Sequence, residues 1–365
     1  MLENWLEPVN RALLDEFSHG EASSIGRNLL IYDRKVPDLF DCRVAILGVD
    51  VNPADAIRRE LYAFTSSFHG IVADLGNVRS SQPEFLVPLL RELLDGDVLP
   101  ILIGCSASHV MAQVTSRLLA SDSANVTVVD NRIRWTDEEG QNQHPPILNS
   151  ILQAGQTKIP LCTVVGYQRH LTSTKAIEFF DSRYYEYTSL GQAREKIRGL
   201  EPGLRDTNVL IIHIPAFNGV QFPARSELSP TGLSVDEGCR ILRYAGLSGN
   251  LNSVSFPGMD VNLPGAQLTA NAIAQMVWYF LEGLFQWKLT NPDMTEEVME
   301  FVVALKEVDM TVTFLKGLRT ERWWVKIPGA GDAMYMLACS YDEYVQTTVG
   351  DFPERLLRAI ERLSQ

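Results

Sequence analysis

The sequence predicts an α/β fold of three layers, α/β/α, around a doubly wound, mainly parallel sheet. Two observations predict it. Short apolar runs rich in β-branched residues recur at Cys42–Val49, Val98–Ile103, Asn125–Asp130, Leu161–Val165, Asn208–Ile214 and Leu251–Phe256. Most are continuously hydrophobic rather than alternating, the pattern of strands buried on both faces. Helix-like segments lie between them, and strands alternating with helices imply right-handed crossovers and a parallel sheet.

The elements carry local signals. Ser81 and Glu84 have the spacing of a capping box, and Pro83 falls in the first turn of the helix they open. Leu86, Leu89, Leu90, Leu93 and Leu94 form its apolar stripe, Pro88 is expected to kink it, and Gly96 ends it. Ile273, Met276, Val277, Phe280, Leu281 and Leu284 make a second stripe at helical spacing. Asp137–Pro146 reads as a polar surface loop. Residues 215–233, with Pro215, Gly219, Pro223, Pro230 and Gly232, read as a long ordered loop. Loops at the carboxyl ends of the strands are where a doubly wound sheet binds its ligands.

No repeat, low-complexity tract or linker interrupts the chain. It reads as one domain over residues 1–365, with residues 1–40 as an N-terminal extension packed on it. A division near residue 150 is the alternative that the length allows.

Composition narrows the function. A chain with 45% hydrophobic and 21% charged residues can build a sizeable core. A net charge of −13 argues against nucleic acid and anionic membrane as the main partner, since both are polyanions. The five cysteines, Cys42, Cys105, Cys162, Cys239 and Cys339, are scattered and form no C-x-x-C pair. Cys42 and Cys162 sit in or beside apolar runs, where a reduced, buried thiol is expected; a reducing compartment fits, and a zinc ribbon does not. Met1–Glu16 lacks the basic start and apolar stretch of a signal peptide. Residues 276–287 are too short to span a bilayer and are interrupted by Glu282. A cytoplasmic protein is expected.

Several stretches, in order and spacing, resemble the arginase–agmatinase–formimidoylglutamase (ureohydrolase) family, and its formimidoylglutamase-like branch most. Pro53–Tyr62 (PADAIRRELY) is similar to the helix after the family's first core strand, and Ala73–Val78 (ADLGNV) to its D-x-G-N element. Gly104–His109 (GCSASH) sits where the family has a glycine pair and Asp-His-Ser. Asp130–Arg134 (DNRIR) takes the place of Asp-Ala-His-x-Asp, and Ile211–Pro215 (IIHIP) that of Ser-x-Asp-x-Asp. Leu228–Glu237 (LSPTGLSVDE) resembles the P-x-G-L-S-x-x-E stretch. Arg243–Leu247, Gln275–Gly283, Arg322–Trp324 and Cys339–Tyr344 look like one subgroup of the family. The likeness covers about residues 40 to 355 and implies an arginase/deacetylase-like fold and a homo-oligomer.

The family's chemistry uses two Mn²⁺ ions at the strand ends, which lower the pKa of a bridging water so that hydroxide attacks an amidine carbon. Such a centre needs several carboxylates and one or two imidazoles. At the matching positions this sequence has Ser106 and Ala107 for Asp and His, Arg132 and Arg134 for His and Asp, and His213 and Pro215 for two Asp. Asp130 matches, and Asp260 is the candidate for a late glutamate. A guanidinium has no lone pair for a metal and repels a dication. The sequence therefore predicts no metal cofactor and a binding, regulatory or assembly role. The alternative is a hydrolase of linear amidines with an atypical site, one metal held by Asp130, His213 and Asp260.

Other residues have sharp and plain readings. Cys105 and His109 have the spacing of a Cys–His nucleophile pair on a helix start, with Ser106 as a second nucleophile. More plainly, Cys105 is a small residue in a tight turn and His109 a surface residue. His213 reads first as a hydrogen-bonded core histidine, and otherwise as a metal ligand or general base. Asp130, Asn131, Arg132 and Arg134, with Ser106, Ser108, His213 and Asp260 around them, form either a pocket for a small anionic ligand or a salt-bridge network. Trp278, Tyr279, Trp323 and Trp324 read as core or subunit contacts. Arg194–Lys196 and the charges of Glu354–Arg362 read as solvated helix faces.

Overall fold

The computed structural model describes residues 2–18, 21–66, 68–137, 146–155, 158–290, 297–305, 310–329 and 334–364. Most of the Asp137–Pro146 loop expected from the sequence lies outside them. The strands of the main sheet are β1 (Leu6–Glu7), β2 (Leu30–Ile31), β3 (Val44–Gly48), β4 (Val72–Val78), β5 (Leu99–Ile103), β6 (Val126–Val129), β7 (Cys162–Tyr167), β8 (Glu186–Ser189), β9 (Val209–Ile212) and β10 (Ser253–Ser255). They lie in the order β1-β4-β3-β5-β10-β9-β6-β7-β8, with β2 also pairing β4. Every pairing is parallel except the antiparallel β1–β4. The six strands expected from apolar runs are all present. The N-terminal extension does more than pack on the sheet, since β1 and β2 extend its edge.

Alternation along β3 shows why both faces are covered, because successive side chains point to opposite sides. Val44 and Ile46 join a core that includes the helices Val51–Ala63, Val235–Gly246 and Ala266–Thr290. Ala45 and Leu47 join another, with Leu86, Leu89, Leu90 and Leu93 of the helix Pro83–Asp95. The second predicted stripe, Ile273 to Leu284, is buried throughout.

Two expectations need correction. The Ser81–Glu84 capping box does not form; Gln82 is the N-cap residue, without a side-chain cap bond. Pro83 at the first helical position makes the residue before it the boundary. The helix then continues through Pro88 to Asp95. Near the C-terminus Glu354 and Glu361 are exposed as expected, but the arginines are not a solvated face: Arg355 pairs with Glu343 at 2.7 Å, Arg358 with Asp181 at 2.9 Å, and Arg362 donates to the Tyr184 carbonyl at 3.0 Å.

The sequence reading also missed an antiparallel sheet, β11 (Val298–Leu305), β12 (Met310–Gly317), β13 (Trp323–Pro328) and β14 (Met334–Cys339), in that order. Its inner face, with Phe314, Trp323, Val325 and Ile327, packs on Leu356 and Ala359 of the helix Glu354–Leu363.

A buried polar network joins the helix Val51–Ala63 to β4. Arg58, fully buried, donates to both Asp74 carboxylate oxygens at 2.9 Å, to Asn77 at 2.7 Å and to the Gly76 carbonyl at 2.6 Å. Tyr62 adds a hydroxyl bond to Asp74 at 2.8 Å. Removing one partner of a buried pair leaves an uncompensated charge, at a cost of about 3–5 kcal/mol. Arg58→Leu is expected to lose stability of that order in urea denaturation; a loss below about 1 kcal/mol, the size of an exposed pair, would contradict the assignment.

Candidate functional site

The centre is built by strand register. β6 and β9 are parallel neighbours with Val129 opposite Ile212. The next residues, Asp130 and His213, therefore leave the sheet side by side, and the His213 amide still bonds the Val129 carbonyl at 3.0 Å. Their side chains meet, with His213 Nδ1 2.9 Å from Asp130 Oδ2. An ionised carboxylate only accepts, so Nδ1 is the donor. Gly258, at φ +107°, passes over this imidazole; a Cβ there would lie 3.3 Å from His213 Cδ2 and 3.1 Å from Pro215 Cδ.

Asp130 Oδ2 also accepts from Arg134 Nε at 2.7 Å, and Oδ1 from the Asn131 amide at 2.7 Å. Arg134 reaches onward to Asn131 Oδ1 at 3.1 Å and to both oxygens of Glu227 at 3.2 and 2.9 Å. Arg132 meets the same Glu227 carboxylate at 2.6 Å. Burial alone would push the Asp130 carboxyl up, but His213 and Arg134 outweigh it and hold it below its ordinary value. The bond from Arg134 holds Glu227 low against partial burial, with Arg132 assisting.

Sequence reasoning missed two members of this centre, Glu227 and Arg225. Both lie in the long loop after β9, and the one available hint was a carboxylate in a strand-end loop facing two unmatched arginines. Arg225 is buried and donates Nη1 to the Ile214 carbonyl at 2.5 Å, while among the described residues Nε and Nη2 have no hydrogen-bond partner. Burial pushes its pKa down to about 10 against the opposing pull of Glu227.

Among the described residues the remaining candidates make no hydrogen bond to this centre. Gly104, at φ +66°, makes the turn after β5, where a Cβ would lie 2.6 Å from the Asp50 carbonyl. The Cys105 thiol turns back to the Leu102 carbonyl at 3.7 Å, and burial pushes its pKa up to about 12. His109 Nδ1 accepts from the Ser106 amide at 3.0 Å, and Ser106 Oγ lies 2.8 Å from Ser108 Oγ. His109 is thus a capping residue engaged with Ser106, buried rather than on the surface, and burial holds its pKa low. Cys105 does not share its proton with His109.

Asp260 is exposed and accepts from the Asn262 amide at 3.0 Å. Among the described residues no group of three His, Cys, Asp or Glu side chains gathers as a metal site, so Asp130, His213 and Asp260 are not brought together as the alternative reading required. The arrangement does not fit a dinuclear manganese centre. Both Asp130 oxygens are engaged by protein donors, and one donor is a permanent cation.

No family profile and no curated protein matches the sequence. Solved structures do match. Formiminoglutamase from Trypanosoma cruzi, with Mn²⁺, is 15% identical with a TM-score of 0.60, over 69% of this chain and 99% of that one. Agmatine ureohydrolase from Thermoplasma volcanium is 16% identical with a TM-score of 0.58, over 75% and 99%. Formimidoylglutamase from Bacillus subtilis is 17% identical with a TM-score of 0.57, over 76% and 99%. The chain has the fold of these enzymes, the arginase-type α/β fold.

Two outcomes test the site. Asp130 has a depressed folded pKa, so its contribution to stability is present above the unfolded value near 3.8 and is lost as pH falls through the folded value. The stability difference between wild type and Asp130→Asn should be about 3 kcal/mol at neutral pH and shrink in acid below about pH 4. A difference that grows in acid would contradict the geometry. All five thiols are buried. The native protein should react negligibly with a thiol reagent at pH 8 and fully once unfolded; fast native labelling of Cys105 would restore the nucleophile reading.

Proposed function

We propose that this chain is a ureohydrolase of the formimidoylglutamase-like branch that kept the scaffold, gave up the dinuclear manganese centre and its hydrolase chemistry, and works as a binding, regulatory or assembly protein. One observation carries the reading. The Asp130 carboxylate, at the strand end where the family resemblance puts a metal ligand, is taken up by His213 and the Arg134 guanidinium. Low sequence identity to the manganese enzymes and the arginines at two ligand positions support it. On this reading the two sheets form one folded unit, and the protein works in the cytoplasm as a homo-oligomer. Among the described residues no helix is long and apolar enough to cross a membrane.

The Nε and Nη2 of Arg225, unpartnered among the described residues, favour a small anion as ligand of the same centre. A buried donor without an acceptor costs about 1–3 kcal/mol, and a carboxylate or phosphate oxygen would remove that cost.

The test is metal content with activity. The protein is incubated with excess Mn²⁺, desalted, and its manganese measured by elemental mass spectrometry, with formimidoylglutamate and agmatine assayed in parallel. The proposal expects no stoichiometric manganese and no turnover. Tightly held manganese, or hydrolysis of either amidine above background, would overturn it.

A further inference from the structure

A cavity of about 780 Å³ lies away from the strand-end centre, where the antiparallel sheet meets the helix Glu201–Arg205. Three features of it point to the same kind of ligand.

The first is a buried cation with an open donor. The Arg205 side chain is 7% exposed and its Nε lies 2.9 Å from Glu201. Nη2 donates to the Trp323 and Cys339 carbonyls at 3.2 and 2.8 Å, and among the described residues neither Nε nor Nη1 has a hydrogen-bond partner. An acceptor brought in by a ligand would relieve an open N–H.

The second is an aromatic wall. Trp323 is stacked on Tyr344, ring centroids 4.6 Å apart, which fixes its orientation. Tyr341 lies 5.5 Å from Trp323 and is 57% exposed, and Tyr244 also lines the cavity. The exposed Tyr341 ring, set beside the buried and fixed Trp323, offers stacking area at little entropic cost.

The third is charge. Arg198, Arg205, Lys316 and Arg322 line the cavity against Glu201 and Glu321, an excess of two positive charges in a chain whose net charge is −13. Glu321 is engaged by Lys316 at 3.3 Å, and Glu201 is shared by Arg205 and Arg322. Among the described residues exposed Arg198 has no carboxylate partner.

We propose that this cavity binds a small aromatic anion, its ring against Tyr341 and Trp323 and its phosphate or carboxylate held by Arg198 and Arg205. A purely apolar ligand would leave Arg205 with its open donor, and an inorganic anion would leave the aromatic wall unused. The size suits such a molecule, since small-molecule sites run from about 300 to 1,000 Å³. The inference is independent of the strand-end centre, so either can fail without the other.

The test is titration of the full-length protein, followed by tryptophan fluorescence and calorimetry. The probes are AMP and GMP, phenylpyruvate and indole-3-carboxylate, with adenosine and inorganic phosphate as the half-ligands. At least one aromatic anion is expected to bind with a Kd below about 1 mM, and each half-ligand at least about tenfold more weakly. A preference for the nucleotides identifies a phosphate ligand, and a preference for the acids a carboxylate. Arg198→Ala and Tyr341→Ala change exposed side chains, and each should weaken binding about tenfold. Absence of binding by all four aromatic anions would overturn the proposal. So would inorganic phosphate binding as tightly as AMP, or affinity unchanged in both variants.

Discussion

An ionised carboxylate buried at the end of a strand has to be neutralised from close by, because leaving it bare costs several kcal/mol. Asp130 is such a group, placed beside His213 by the register of β6 and β9 whatever else surrounds it. The chain supplies the counter-charge itself, four residues on, as Arg134. Arg134 is then shared with Glu227, which also holds Arg132, so the segment after β6 is tied to the long loop after β9. Arg225, in that loop, holds the Ile214 carbonyl just beyond His213. One electrostatic requirement thus organises the loops at the carboxyl ends of the central strands. Those are the loops that would have to move apart for cations to enter.

Arginine has a second use at the junction between the sheets. Arg205, on a short helix before β9, donates to carbonyls of β13 and β14. Arg355 binds the Ala338 carbonyl at 2.7 Å, and Arg358 reaches the Tyr185 carbonyl at 3.1 Å. Asp206, its pKa pushed up to about 6 by burial, faces the Ala338 amide at 3.4 Å. A planar guanidinium can satisfy several carbonyls at a strand end, where regular sheet bonding stops.

The central sheet was legible in the sequence because its strands are buried on both faces, and burial imposes an unbroken apolar run. Strand β4 escaped direct reading since Asp74 and Asn77 interrupt the run; they are tolerated there because Arg58 satisfies both. The antiparallel sheet escaped for a different reason. Val298, Met299, Glu300 and Val302 of its edge strand are exposed, so composition there is weakly constrained. Strand β13 does alternate between buried and half-buried residues, from Trp323 to Pro328, but six residues are a short signal. In the site, Asp130, Asn131, Arg132, Arg134 and His213 were identified and are brought together. Glu227 comes from a distant loop, and spacing along the chain holds no trace of that contact. Ser106 and Ser108 were expected around Asp130 and His109 beside Cys105, but the three bond to one another at a helix start.

What neutralises Asp130 is addressed directly by a crystal structure grown in excess Mn²⁺, through manganese anomalous scattering. If Arg134 is the counter-charge, no anomalous peak appears beside Asp130, Arg134 Nε lies at hydrogen-bonding distance from its carboxylate, and Glu227 bridges the two arginines. A manganese peak ligated by Asp130 and His213, with Arg134 swung away, would contradict that role.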